Sequence, residues 1–304
     1  MIQLTEIKNL LLVRPSHPHR PLHLSAASGL VKVGPWLYVV ADDELHIGKF
    51  SLSNNTGELY ECFPGDLPLD IEERKAAKPD AEVLTLLPDP SNSRHSSLLV
   101  LGSGSKKNRR DAALIGLDGN GDISGEAKII DLSLFYEFLK NEIGKLNIEG
   151  AAIFQERIFL FQRGNKKNKL NATINIGMND FYRLLHEPQK FYEPHIQITP
   201  YDLGYVDEVP FCFTDATALP TGDIIFTASA ENTSDSYLDG MCMGSKIGVI
   251  NLQGNLILLE PVDKIVKLEG ITVNNIDKAV EILLVSDADD VSRPAQLYSA
   301  LLNF

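Results

Sequence analysis

Cysteine is scarce in this sequence and badly spaced for bonding. Cys62, Cys212 and Cys242 are odd in number and far apart. With no CxxC spacing they exclude a disulfide framework and a zinc knuckle, and they read as small apolar core residues. Long apolar runs are missing too, and none approaches the ~18 residues that a membrane-spanning helix needs. The first thirteen residues carry Glu6 and Lys8, without the basic start and small-residue cleavage site of a signal peptide. The expectation is a cytoplasmic protein without a membrane partner. Basic residues are few beside acids, 28 against 41, for a net charge of -13. Phosphate backbones need a cationic face, so nucleic acid is not an expected partner, and any anionic small molecule has to meet a local basic patch. The usual nucleophile signals are absent as well. There is no G-x-S-x-G elbow and no cysteine beside an obvious base, and Gly102-Ser-Gly-Ser-Lys106 lacks the spacing of a P-loop.

What the sequence does have is short β-type runs punctuated by Gly, Asp, Asn and Pro. Laid against one another, they show a repeat of roughly 50 residues, within the range of propeller blades. Each repeat opens with a small or acidic residue before an apolar run: Ser28-Gly-Leu-Val, Glu82-Val-Leu-Thr, Glu149-Gly-Ala-Ala, Asp215-Ala-Thr-Ala and Glu269-Gly-Ile-Thr. Second, third and fourth runs follow across turns, except that the fifth repeat lacks a fourth. Residues 7–13 form an unpaired strand that can supply it and so remove an open sheet edge. The fold class predicted is all-β: a five-bladed β-propeller closed by the N-terminal strand, one domain over residues 1–304. Helical spacing occurs only at 131–144, behind an Asp131 N-cap, and at 179–187, so one or two short inserted helices are expected. Asp118-Gly-Asn-Gly-Asp122 imitates a calcium loop, but Ile123 and Ile129 occupy the wrong positions, and a hairpin turn is expected.

In a propeller the innermost strands line a central channel, and their entry loops share one face with the loops after the second strands. Two residue sets therefore converge. Ser28, Glu82, Glu149, Asp215 (or its neighbour Thr214) and Glu269 form the first, an oxygen-rich ring. Carboxylates gathered on an axis repel unless they take up protons or hold a cation. Ca²⁺, with 6–8 oxygen ligands and loose geometry, suits such a ring; equally, these residues can cap strand entries, with the following Gly allowing close backbone approach. The second set begins with two similar basic loops, Gly102-Ser-Gly-Ser-Lys-Lys-Asn-Arg-Arg110 and Gln162-Arg-Gly-Asn-Lys-Lys-Asn-Lys169. Lys106, Lys107 and Arg163 are the candidate ligand-binding residues for a phosphorylated or carboxylated molecule, although a charged run is also an ordinary solvated loop. Acids occupy the corresponding place in the other repeats, among them Asp42, Glu231 and Asp287, and Asp42 and Asp287 are the candidate proton acceptors. His17, His19 and His23 lie in a Pro-rich stretch that reads as a surface loop.

The sequence resembles an uncharacterised bacterial propeller family through Ala27-Ser-Gly-Leu30, Asn147-Ile-Glu-Gly150, Gln162-Arg-Gly-Asn165, Phe213-Thr-Asp-Ala216 and Ser286-Asp-Ala-Asp-Asp290. More distantly, the order of opening residues is similar to that of the calcium-activated nucleotidases, five-bladed propellers with Ser and Glu around a central Ca²⁺. Lys267-Leu-Glu-Gly-Ile271 is the best local match, while the Trp-containing and double-Arg motifs of that family are not reproduced. The Glu-Gly-Ile and Ser-Asp-Ala-Asp motifs also resemble esterase-like phytase propellers. These resemblances imply a Ca²⁺-dependent phosphohydrolase in which Lys106, Lys107 and Arg163 offset phosphate charge. The alternative expectation is a non-catalytic propeller that binds a ligand or partner protein at the same mouth.

Overall fold

The computed structural model describes residues 1–303 apart from 91–95, 192, 234–239 and 278. Five sheets, antiparallel apart from one short parallel pair, stand around a central axis. The inner strands are Ala27–Val33, Ala81–Pro88, Ile148–Phe154, Val209–Ala218 and Lys267–Ile276, and the second strands are Trp36–Ala41, Ser96–Gly102, Arg157–Gln162, Ile224–Glu231 and Val280–Asp287. A five-bladed β-propeller is the observed fold.

The N-terminus closes the ring. Thr5–Asn9 pairs antiparallel with Gln296–Leu302 and completes blade five as its outer strand. The pairing is displaced from the expected 7–13, because the chain changes blade at Leu10. That residue is fully buried, its amide donates to Ala295 O, and Leu11–Leu12 then pairs in parallel with the outer strand Thr56–Glu61 of blade one. One short segment thus stitches both sides of the blade-five to blade-one seam and leaves neither outer edge bare.

Five apolar clusters fill the five wedges between neighbouring blades. Period-two alternation builds them: in Ser96–Gly102, Leu98 and Val100 face blade one, whereas Leu99 and Leu101 face blade three. Both faces of a blade are therefore dry, which explains sequence runs that are apolar throughout. Phe213 meets Phe161 and Phe226 edge-on at 5.0 and 4.8 Å in the wedge between blades three and four.

Three helices are present among the described residues. α1 (Ile71–Ala77) was not expected; it has no apolar stripe, and its signal is only Asp70, whose carboxylate accepts from the amides of Glu72 and Glu73 at 3.0 Å. α2 (Ser133–Ile143) and α3 (Met178–His186) cover the wedge between blades two and three with Phe135, Leu139, Phe181 and Leu185. Asp131 caps α2 from one residue further out than expected, accepting from Ser133 N at 2.8 Å. Asp118–Asp122 is a hairpin turn, with Asp118 N bonded to Asp122 O and Gly121 at φ 77°.

Candidate functional site

In all five blades, the register between the inner and second strand slips by one residue at the same place. The skipped residues are Ser28, Glu82, Glu149, Thr214 and Glu269. A β-bulge bends its strand and re-aims a side chain, so five equivalent side chains are set at one level of the channel. Close approach of the inner strands comes from the next position: a Cβ on Gly150 would lie 2.7 Å from Asp215 Cα, and one on Gly29 would lie 3.0 Å from Leu84 N.

Two further rows follow from strand geometry. Residues two positions upstream of each bulge share its face; these are Ala26, Asp80, Asn147, Cys212 and Lys267. Opposite them, at the ends of the second strands, stand Asp42, Ser103, Arg163, Ser229 and Asp287. These rows, apart from Ala26 and Ser103, help to wall a partly open cavity at the channel mouth, lined by seven carboxylates and six basic side chains. It leaves about 70 Å³ for water centres, several times the roughly 10–15 Å³ that one water needs.

The charges are distributed unevenly. Lys267 is the most heavily used cation: its Nζ lies 2.9 Å from Asp287 Oδ2, 2.9 Å from Glu231 Oε1, 3.0 Å from Asp289 Oδ1 and 3.4 Å from Glu269 Oε1. Arg163 gathers Glu149 at 2.9 Å, Glu231 at 3.2 Å and Glu269 at 3.5 Å. On the other side, Lys78 bonds Asp42 and lies 3.0 Å from Asp80, which also takes Arg109 at 2.6 Å. Glu82 differs from all of these. It is more than nine-tenths buried and lines the cavity, and no hydrogen bond or ion pair reaches its carboxylate among the described residues. One oxygen each of Asp42, Asp80 and Glu82 lie within 4.8 Å of one another.

Electrostatics sorts these acids. Burial would raise Glu231, but Lys267 and Arg163 overcome it and hold the group down to about 2. Asp80 and Asp287 are likewise held below the ordinary carboxylate range against burial, by Lys78 with Arg109 and by Lys267 respectively. Glu82 goes the other way, pushed well up by burial and by Glu149, Asp80 and Asp42. Burial lifts Asp42 to about 7 against the pull of Lys78, and Glu269 to about 8 against Lys267 and Arg163. Cys212 has its thiol raised to about 11 by burial, so it stays protonated and is a poor nucleophile.

With the mouth described, its relatives can be placed. The pattern of a family described as "Family of unknown function (DUF6929)" matches residues 23–302. The chain belongs to the DUF6929 family. No curated protein matches it. Among solved structures, it is similar to the glutaminyl cyclase of Myxococcus xanthus at 10% identity and TM-score 0.48, covering 99% of this chain and 98% of that one. It is also similar to a luciferin-regenerating enzyme at 12% identity and TM-score 0.46, covering 93% and 94%.

Of the residues singled out from the sequence of this DUF6929 chain, Ser28, Glu82, Glu149, Glu269, Asp42, Asp287 and Arg163 line the one cavity. Asp215 does not. It stands one residue past the bulge, where blades one, three and five have glycine, and its Oδ2 accepts from Ile271 N at 2.9 Å while burial raises its pKa well above the carboxylate range. Thr214 holds the ring position, and its hydroxyl bonds Leu268 O and Thr227. Lys106 and Lys107 are also outside the lining. A 3-10 turn over Lys107–Arg109 leaves Lys107 exposed and turns Arg109 inward. In the matching loop, Lys166 does line the mouth. Asp80 is not singled out by the sequence, and Asn147 and Lys267 stand there only as the first residues of two motifs without a role, yet each is two residues before a ring glutamate, a spacing that period-two reading exposes.

No helix among the described residues is long and apolar enough to cross a membrane.

Proposed function

We propose that the channel mouth binds a divalent cation, Ca²⁺ by its oxygen donors, and through it an anionic small molecule bearing a phosphate or carboxylate. The unpartnered Glu82 carboxylate, buried against Asp42 and Asp80, carries this reading. A buried carboxylate without a partner is costly unless it is neutralised. A cation does that, and Ser28, Asp42, Asp80 and Glu82 offer the hard oxygen donors Ca²⁺ takes. Glu149 and Glu269 are already matched by Arg163 and Lys267, so the cation's seat lies toward blades one and two rather than on the axis. Since Arg163 and Lys267 are occupied by carboxylates, the metal, with Lys166 lining the same mouth, is left to meet an anion. Calorimetric titration of the metal-free protein with Ca²⁺ and Mg²⁺, repeated with E82Q, tests this. Saturable Ca²⁺ binding lost in E82Q supports it, and no heat with either ion sinks it.

The second reading is hydrolysis of a bound phosphate ester. Here Asp287 is spent, since one oxygen bonds Lys267 and the other accepts from Asp289 N. Asp42 is the remaining acid of the expected pair, and it faces the cavity with Lys78 as its partner. A cation that orients the phosphoryl group beside such a carboxylate is the arrangement hydrolysis needs. Phosphate release from p-nitrophenyl phosphate and nucleotides with Ca²⁺ present decides between an enzyme and a binding module.

A further inference from the structure

The mouth is not the end of the site. Asp42, Lys75, Lys78 and Asp287 also line a groove of about 940 Å³, so mouth and groove adjoin across these side chains. Helix α1 forms much of its length. Ile71, Arg74, Lys75 and Lys78 recur at three- and four-residue steps, which places them on one helical face, and all four line the groove. From Lys78 at the mouth to Ile71 at the far end, that face runs about 10 Å at 1.5 Å per residue.

The character of the wall changes along this distance. Arg74 is turned down, its guanidinium donating to Asp43 O at 2.8 Å and Pro68 O at 2.9 Å. Beyond Lys75 the wall carries three exposed apolar side chains beside the polar His19, Asp290 and Ser292: Leu69 is 48% exposed, Ile71 is 58% exposed, and Val291, from the loop after the second strand of blade five, is 40% exposed. Pro18 and Pro21 line the same groove. Exposed apolar side chains that gather in one groove with a polar rim mark an interaction or ligand-binding surface.

We propose that the ligand of this site is an amphiphile, with its anionic head at the cation in the mouth and an apolar tail laid along α1 over Leu69, Ile71 and Val291. This rests on the cation-assisted reading of the mouth and adds the ligand's second half. The groove's occupant is the tail of that same molecule because Asp42, Lys75, Lys78 and Asp287 belong to both walls, so a chain leaving the mouth past these side chains meets the groove next.

The test is calorimetry on the full-length, Ca²⁺-loaded protein with methyl, butyl and octyl phosphate, read as the ratio of octyl to methyl affinity within each protein. In the wild type, affinity should rise about two- to fourfold per methylene, as burial of each group implies. In a Leu69→Ser, Ile71→Ser double variant, whose changes are on exposed side chains, the ratio should collapse toward one. A wild-type ratio near one overturns the proposal while leaving the head-group site standing. A ratio that persists in the double variant overturns it as well, by placing the tail elsewhere. If octyl phosphate binds equally well without Ca²⁺ and to E82Q, the link between head and tail is wrong. If methyl phosphate does not bind at all, the cation-assisted reading fails and takes the amphiphile with it.

Discussion

Glu82 follows Asp80 by two residues at the entry to the inner strand of blade two and faces the same cavity, yet Asp80 is bound by Lys78 and Arg109 while no partner reaches Glu82 among the described residues. The pair differs by one step along the channel, and that step separates a neutralised acid from one without a counter-charge among the described residues. Substituting Glu82→Gln removes the uncompensated carboxyl and keeps its shape. The metal-free variant should melt about 2–3 °C above the wild type, corresponding to ~1 kcal/mol. Millimolar Ca²⁺ should raise the melting temperature of the wild type and leave that of E82Q unmoved. Differential scanning calorimetry with and without chelator checks both, and an equal Ca²⁺ response in the two proteins contradicts the assignment.

Lys78 competes for the same oxygens. Its ammonium bonds Asp42 and lies 3.0 Å from Asp80, so a cation bound there would have to displace it. Lys78→Met keeps the stem and removes the charge. Ca²⁺ affinity should rise about tenfold, equivalent to ~1.4 kcal/mol, and the metal-free protein should lose stability because Asp42 loses its cation and Asp80 keeps only Arg109. A variant that binds Ca²⁺ more weakly would mean that Lys78 supports the site rather than opposes the ion.

The five-fold plan was legible in the sequence because each blade opens with the same kind of residue before an apolar run. What it left open is instructive. Thr214 and Asp215 are adjacent, and only the bulge decides which of them enters the ring; a bulge is a register event between two strands, invisible along one. The basic loops were legible as copies but not in their folding. In blade three the cation at the first loop position, Arg163, turns inward, whereas blade two has Ser103 there, which bonds Asp80, and brings in Arg109 through a 3-10 turn. The closing strand was displaced because Leu10, read as part of a continuous run, is instead the buried point where the chain passes between blades. Helix α1 was missed because its inward face carries Arg74, Lys75 and Lys78 rather than the apolar stripe by which helices are found.

Arg163 organises three carboxylates, and its loss should be felt by all of them. Arg163→Met leaves Glu149, Glu231 and Glu269 with Lys267 and Asn147 alone, and breaking buried pairs of this kind costs about 3–5 kcal/mol. The pH dependence has a definite sign. Glu231 is held down to about 2, so its share of stability is present above the unfolded value of roughly 4.3 and is lost as pH falls toward 2. The penalty of the variant should therefore be largest above pH 5 and shrink toward pH 3. Urea unfolding at pH 3.5, 5 and 7 measures it. Lys107→Ala, on the exposed loop outside the cavity, is the contrast and should stay within about 0.5 kcal/mol of wild type at every pH.

Asp215 gives the opposite pH signature. Its carboxyl is fully buried, has no basic partner among the described residues, and accepts from Ile271 N across the blade-four to blade-five seam. Burial outweighs the amide bonds and holds it protonated well above its ordinary range. The unfolded group ionises near pH 3.9. Between that value and the folded one, folding takes up a proton, so this group's contribution is full below about pH 3.9 and declines by up to about 1.4 kcal/mol per pH unit as pH rises. Asn mimics the protonated carboxyl without titrating. Asp215→Asn should match the wild type near pH 4 and gain a growing advantage between pH 5 and 7, read as the difference in urea midpoint. Its Ca²⁺-induced rise in melting temperature should equal that of the wild type, because Thr214 and not Asp215 stands in the ring. A flat difference across that pH range would show that the carboxyl is ionised in the fold. Loss of the Ca²⁺ response would return Asp215 to the metal site.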